Sequence, residues 1–179
     1  PNMTVFVPCD PTEMEKAVFA AAEIDGPVYI RVARPVCEDI TTEDTPFIPG
    51  KANILKDGND VCIITMGLMV PIALKAAEML EAEGISAAVV NMHTVKPIDA
   101  ETILAMNEKC KGIVTAEEHS VIGGLGSAVA EVLAGHAGAK FERVGIQDKF
   151  GKSGKPAELF AAYGLTAENI VEKCKATLA

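Results

Sequence analysis

No Cys-x-x-Cys pair occurs anywhere in this chain of 179 residues. The cysteines, Cys9, Cys37, Cys62, Cys110 and Cys174, are odd in number and widely spaced. That spacing argues against zinc binding and thioredoxin-like redox chemistry. It fits a reducing, cytoplasmic setting. Cys62 lies inside an apolar run and reads as a small core residue. No apolar run reaches the roughly 18 residues a membrane helix needs, so no membrane partner is expected. Nor is there a basic start followed by a hydrophobic segment, the mark of a signal peptide. Positive charge is scarce: 16 Lys and Arg stand against 25 Asp and Glu, for a net charge of −9. This balance excludes a general nucleic-acid or membrane-surface role, while leaving room for a local basic site that takes an anionic substrate. Internal repeats and low-complexity tracts are also missing. What is abundant is apolar material, 49% of the residues, enough for a real core and against disorder.

The length suits one compact domain with a small appendage. Met3 to Val7 reads as a short strand. Asp10 can then cap a helix that opens on Pro11, with Glu13 where a capping-box acid belongs. Ala17, Val18, Ala21 and Ile24 repeat at helical spacing, Gly26-Pro27 stops the helix, and Val28 to Arg31 returns as a strand. Two strands and one helix rarely stand alone. Residues 1–35 therefore look like the tail of a domain whose remainder is absent. Because the first residue is Pro1, the chain is expected to be a processed or excised piece of something longer. Residues 36–50 show no period, carry Pro46 and Pro49, and read as a linker.

From 51 to 179 strands alternate with helices. Strands are expected at Ile54-Leu55, Val61 to Thr65, Ala87 to Val90, Gly112 to Thr115 and Phe141 to Val144. Helices are expected at Val70 to Glu83, from the Asp99 cap to about Cys110, at Gly124 to Leu133, at Pro156 to Tyr163 and at Ala167 to Leu178. The fold class is thus α/β: a three-layer sandwich with a mostly parallel sheet of about five strands, preceded by a β-α-β remnant.

The densest local signal is TAEEHSVIGGLGSAVAEVL, Thr115 to Leu133. A strand leads into an acidic loop, a glycine turn and a helix start, the order that places polar groups at the carboxyl edge of a sheet. The glycines do not make a dinucleotide site. Gly124-Leu125-Gly126 is only part of the pattern, and Val129 holds the third glycine position. An unspecific anion at the helix N-terminus remains open. Gly151-Lys152-Ser153 copies the end of a phosphate-binding loop, but Ile146 stands where its first glycine belongs. That loop is read as a turn starting the next helix, with Lys152 and Lys155 solvated. His136 lies in a Gly/Ala loop and is read as solvated too.

PNMTVFVPCDPTEM (Pro1 to Met14), GPVYIRVARP (Gly26 to Pro35), NMHTVKPID (Asn91 to Asp99), the Thr115 to Val129 stretch and FGKSGKPAELFAAYGL (Phe150 to Leu165) occur in order. Together they resemble the C-terminal region of transketolase: the end of a pyrimidine-binding domain, residues 1–35, and the C-terminal domain, residues 51–179. A similar domain occurs in deoxyxylulose-phosphate synthase and in 2-oxo-acid dehydrogenase β subunits, which remain alternatives within this cofactor class. A non-catalytic interaction or anion-binding module is a third reading.

The resemblance implies a thiamine-diphosphate enzyme that uses a divalent metal, Mg, and moves a two-carbon ketol unit between sugar phosphates. In that family the activating glutamate and the diphosphate and metal ligands lie upstream of anything matching Pro1. No cofactor or metal is therefore expected on this chain alone, no catalytic residue is assigned to it, and alone it should be inactive. The expected partners are an N-terminal transketolase part or subunit and a second copy, as a homodimer. The chain's own expected work is to stabilise that dimer and wall the substrate entrance.

Arg34 follows a strand and precedes a proline, and a guanidinium there can hold a phosphate through two parallel bonds. The resemblance places a substrate-phosphate arginine at this position. The plainer reading is a surface ion pair with Glu38 or Asp39. Arg31 is read as structural, turned toward an edge or solvent. His93 ends a strand where the synthases place a phosphate-holding arginine, and a loop histidine bonded to backbone is the alternative. Glu117, Glu118 and His119 form a polar cluster. Acid–base work is conceivable, but a domain or subunit contact with the acids bonding backbone amides is preferred.

Overall fold

The structure, a computed structural model, describes all 179 residues. Strand β1 (Thr4–Phe6), helix α1 (Pro11–Glu23) and β2 (Val28–Ile30) form the β-α-β unit at the start. The rest is β3 (Asn53–Lys56), β4 (Val61–Thr65), α2 (Met69–Ala82), β5 (Ala87–Asn91), β6 (Thr94–Lys96), α3 (Ala100–Lys109), β7 (Gly112–Ser120), α4 (Leu125–Leu133), β8 (Lys140–Ile146), α5 (Pro156–Ala162) and α6 (Ala167–Leu178).

The larger sheet has the order β3-β5-β4-β7-β8. All its pairs are parallel except β3 against β5. Central β4 is buried on both faces, as a Val/Ile-rich strand of a covered parallel sheet should be. Alternation sorts its side chains. Val61 and Ile63 enter one core with Met69 and Leu80 of α2 and Ile170 and Cys174 of α6. Cys62 and Ile64 enter the other with Ile103 and Met106 of α3 and Leu125 and Val129 of α4. Helices therefore cover both faces, as the alternating pattern predicts.

Helix α1 is capped by Asp10, whose Oδ1 accepts the Glu13 amide at 2.7 Å. The Glu13 carboxylate reaches past the cap and accepts the Cys9 amide at 2.8 Å instead. Asp10 also accepts from the amides of Ile40 (2.8 Å) and Thr41 (2.5 Å). Lys16 donates to the carbonyls of Thr42, Glu43 and Thr45. The stretch without regular structure is thus tied to α1 at its far end.

Two elements differ from the sequence reading. Residues Thr94–Lys96 are a strand, β6, which pairs antiparallel with β1 and completes a second sheet of order β2-β1-β6. Three residues ending at a proline carry no periodic signal, and β6 exists because β1 supplies its partner. Second, β7 continues through Glu117, Glu118 and His119 to Ser120, where an acidic loop was expected. Acids are poor strand formers, but here two of them find partners inside the fold.

The sheets meet where β5 runs into β6. The Met92 amide donates to Thr65 O at 2.7 Å, and the Val7 amide to His93 O at 2.8 Å.

Candidate functional site

A cavity of about 800 Å³ opens where the two sheets come together. Its walls come from carboxyl ends of strands: Val7 and Pro8 after β1, Arg31 to Val36 after β2, Gly67 and Leu68 after β4, Glu118 in β7 and Ile146 of β8. Helix α5 closes it with Leu159 and Phe160. Loops at strand carboxyl ends are where α/β proteins place ligands. A smaller cavity, about 340 Å³, lies on the other side of residues 32–37 against the start of α1.

Strand β2 ends at Ile30, so Arg34 stands four residues beyond it on an exposed strap, lining both cavities. Its guanidinium has no partner in the fold. The ion pair with Glu38 or Asp39, the plainer alternative, is not made; Asp39 accepts from the Thr12 hydroxyl at 3.4 Å. Arg31 is not turned to solvent. Its Nη2 donates to the Glu118 carbonyl at 2.7 Å and lies 3.7 Å from the Glu118 carboxylate.

His93 is placed elsewhere and is fully buried. Its ring stacks on Phe47 at 4.2 Å between centroids, and Phe47 meets Phe6 edge-on. Nδ1 lies 3.0 Å from Thr94 Oγ1, and Nε2 has no partner. His93 does not line the Arg34 cavity, and a buried neutral ring lacks the positive charge a phosphate needs. The two phosphate candidates are therefore not brought together.

Burial lowers the His93 pKa to about 4, partly offset by Asp99. The unfolded ring titrates near 6.5, so the unfolded state takes up the proton first as pH falls. Stability should therefore drop by about 3 kcal/mol between roughly pH 6.5 and 4, at about 1.4 kcal/mol per unit. Urea titrations across that range should show this slope in the wild type and its loss in His93→Phe.

Glu117 is buried and caps helix α4 from outside the helix. Its Oε2 accepts the Leu125 amide at 2.7 Å and its Oε1 the Gly126 amide at 2.8 Å. The helix N-terminus left open as an anion site is thus filled by the chain's own carboxylate. Gly124 makes this possible, since a Cβ there would lie 2.0 Å from Glu117 Oε2. Burial raises the Glu117 pKa, and the two amides, His119 and Arg143 pull it back in part. His119 is exposed; its Nδ1 sits 2.9 Å from Ser120 O and 3.8 Å from Glu117.

Lys152 lies 5.9 Å over the Tyr163 ring, and the Tyr163 hydroxyl donates to Phe150 O. His136 is exposed.

Sequence reading missed one buried polar junction. Glu13 accepts from Asn91 Nδ2 at 2.8 Å as well as from Cys9, joining α1 to the end of β5. The only hint was Glu13 at a capping position, which says nothing about Asn91.

No three His, Cys, Asp or Glu side chains converge to hold a metal ion, and the buried acids Glu13 and Glu117 are committed to donors of the chain itself. The donor set present does not fit a metal–diphosphate centre. No helix is long and apolar enough to cross a membrane.

Residues 50–170 match the family model described as "Transketolase, C-terminal domain". The chain belongs to the transketolase family. Among relatives, the 6-deoxy-6-sulfo-D-fructose transketolase subunit of Clostridium sp. (strain MSTE9) is 46% identical, over 96% of this chain and 53% of its own length. The 1-deoxy-D-xylulose-5-phosphate synthase of Symbiobacterium thermophilum is 37% identical, over 99% of this chain and 28% of its own. A solved structure titled "Split gene transketolase, inactive beta4 tetramer" superposes with a TM-score of 0.96 at 49% identity, over 99% of this chain and 58% of that one. The chain thus spans about half the length of these transketolase relatives, and the transketolase C-terminal domain accounts for its five-stranded sheet.

Proposed function

We propose that this chain is the C-terminal part of a transketolase that moves a two-carbon ketol unit between sugar phosphates, in a homodimeric, cytoplasmic enzyme of pentose phosphate metabolism. Thiamine diphosphate and Mg belong to the complete enzyme and are held by an N-terminal part or subunit. Residues 1–35 are the tail of a pyrimidine-binding domain, 36–50 a linker, and 51–179 the C-terminal domain. Arg34 takes the substrate phosphate. Glu118 and His119 serve contacts between parts of the enzyme rather than acid–base chemistry, and Glu117 holds the start of α4 beside them.

The observation that carries this reading is the superposition of 99% of the chain on little more than half of a split-gene transketolase. The small sheet agrees with it. Strand β2 is paired on one side only, and Tyr29 and Phe19 stand 55% and 67% exposed. Apolar groups beside an open strand edge call for a covering partner.

The test is reconstitution. Mixed with the N-terminal partner and thiamine diphosphate, the chain should restore ketol transfer between sugar phosphates; by itself it should turn over nothing and bind no cofactor by calorimetry. Activity with pyruvate or another 2-oxo acid instead would point to a synthase or dehydrogenase. An intact fold that no partner rescues would point to a non-catalytic module.

A further inference from the structure

The strap that carries Arg34 has an unusual suspension. From Val32 to Glu38 no backbone or side-chain group makes a hydrogen bond. Residues Val32 to Val36 are all exposed, Val36 fully so, and a cavity lies on each side. What holds the strap is polar and sits at its ends. At the far end Asp10 takes the Ile40 and Thr41 amides. At the near end the Arg31 amide donates to Phe6 O at 2.8 Å, and the Arg31 side chain crosses from the small sheet to the large one. There it donates to the Glu118 carbonyl and pairs with the Glu118 carboxylate.

We infer that Arg31 and Glu118 are positioning residues, a clamp that fixes where the strap leaves β2 and so where Arg34 presents its guanidinium. Two residues, Val32 and Ala33, separate Arg31 from Arg34. Extended chain advances about 3.3 Å per residue, so loss of the near anchor can displace Arg34 by several ångströms. A phosphate grip through two parallel bonds does not tolerate that displacement. Glu118 lies on β7 two residues past its last pair with β4, at the carboxyl end where the cavity opens. The clamp thereby ties the strap to the large sheet, and the two sheets are joined at the mouth of the cavity.

This inference rests on Arg34 as the phosphate holder, and the experiment separates the two. In the reconstituted enzyme, Arg31→Met, which removes the bonds to both the Glu118 carbonyl and its carboxylate, should raise the KM for a phosphorylated acceptor about tenfold, while the KM for the unphosphorylated sugar and kcat stay put. The same change made in an Arg34→Ala background should add nothing, since the clamp acts only through Arg34. A lower KM in Glu118→Ala would show instead that the carboxylate competes with phosphate for Arg31, and would overturn the inference. So would an unchanged KM in Arg31→Met, or additivity of that change with Arg34→Ala. If Arg34→Ala itself leaves the phosphorylated KM alone, the phosphate reading has failed first.

A second readout needs no partner. Trypsin should cut the Arg31–Val32 bond several times faster in the Glu118→Ala chain than in wild type. Equal rates would mean that the Glu118 carboxylate holds nothing beyond what its backbone carbonyl holds, and would overturn its part in the clamp.

Discussion

Replacing Glu117 with alanine is expected to cost about 4 kcal/mol of stability, the sum of two buried amides stripped of a charged acceptor at roughly 2 kcal/mol each. For a chain of this size that is a fall in Tm of about 8–16 °C, readable by calorimetry. The physical basis is the start of α4. The first amides of a helix have no partner within it, and the Gly124 cap position offers no side chain to accept them. Glu117 reaches in from β7 and takes two of them, a negative charge where the helix dipole favours one. No water can substitute easily at a side chain that is fully buried. Gly124→Ala should destabilise through the same contact, because its methyl would occupy the place of Glu117 Oε2. The pH dependence has a definite sign. Burial raises the folded pKa of Glu117 above its ordinary value, so the folded state binds this proton more readily. The contribution of the group is therefore complete below about pH 4.3, the unfolded value, and is lost as pH rises through the folded pKa. The stability gap between wild type and Glu117→Gln should be widest in mild acid and narrow toward neutrality. A Tm loss under about 2 °C for Glu117→Ala would mean that the α4 amides find other acceptors.

The large sheet and its helices could be read from local pattern because each element carries its own signal. β4 is a run of buried β-formers, α1 and α6 have side-chain caps, and Pro11 and Pro156 mark helix starts. What could not be read depended on contacts far apart in sequence. β6 is a strand only because β1 lies beside it. Glu117 to Ser120 look like loop until α4 and Arg31 supply their partners. Arg31 and Glu118 are 87 residues apart, and neither residue type announces the other. The burial of His93 is illegible in sequence for a related reason. Its position after a strand suggests a carboxyl-edge ligand, but the Phe47 ring folds over it and the turn into β6 buries it. At the candidate site, sequence could nominate Arg34 and the strand end that bears it. It could not show that the strap hangs between two polar anchors.

Arg34→Ala in the reconstituted enzyme should raise the KM for phosphorylated sugars by about 10–150-fold. Charge-assisted bonds to a phosphate contribute roughly 1.5–3 kcal/mol, and 1.36 kcal/mol is a factor of ten. The kcat should change less than about twofold, because a grip on the phosphate end binds ground and transition states alike. Arg34→Lys should recover only part of the loss, since an ammonium keeps the charge but not the planar fork. For the unphosphorylated sugar the variants should match wild type, which separates loss of the grip from damage to the fold. Stability provides the second control. Arg34 is exposed and unpaired, so removing its side chain should alter ΔG by no more than about 0.5 kcal/mol. The argument turns on a contrast between two arginines three residues apart. Arg31 has its charge answered inside the fold, and its loss should loosen structure. Arg34 has been given no internal acceptor at the mouth of a cavity built from strand carboxyl ends, so its loss should be felt by the substrate's phosphate and by little else. Equal KM values for phosphorylated substrate in wild type and Arg34→Ala would remove Arg34 from the site.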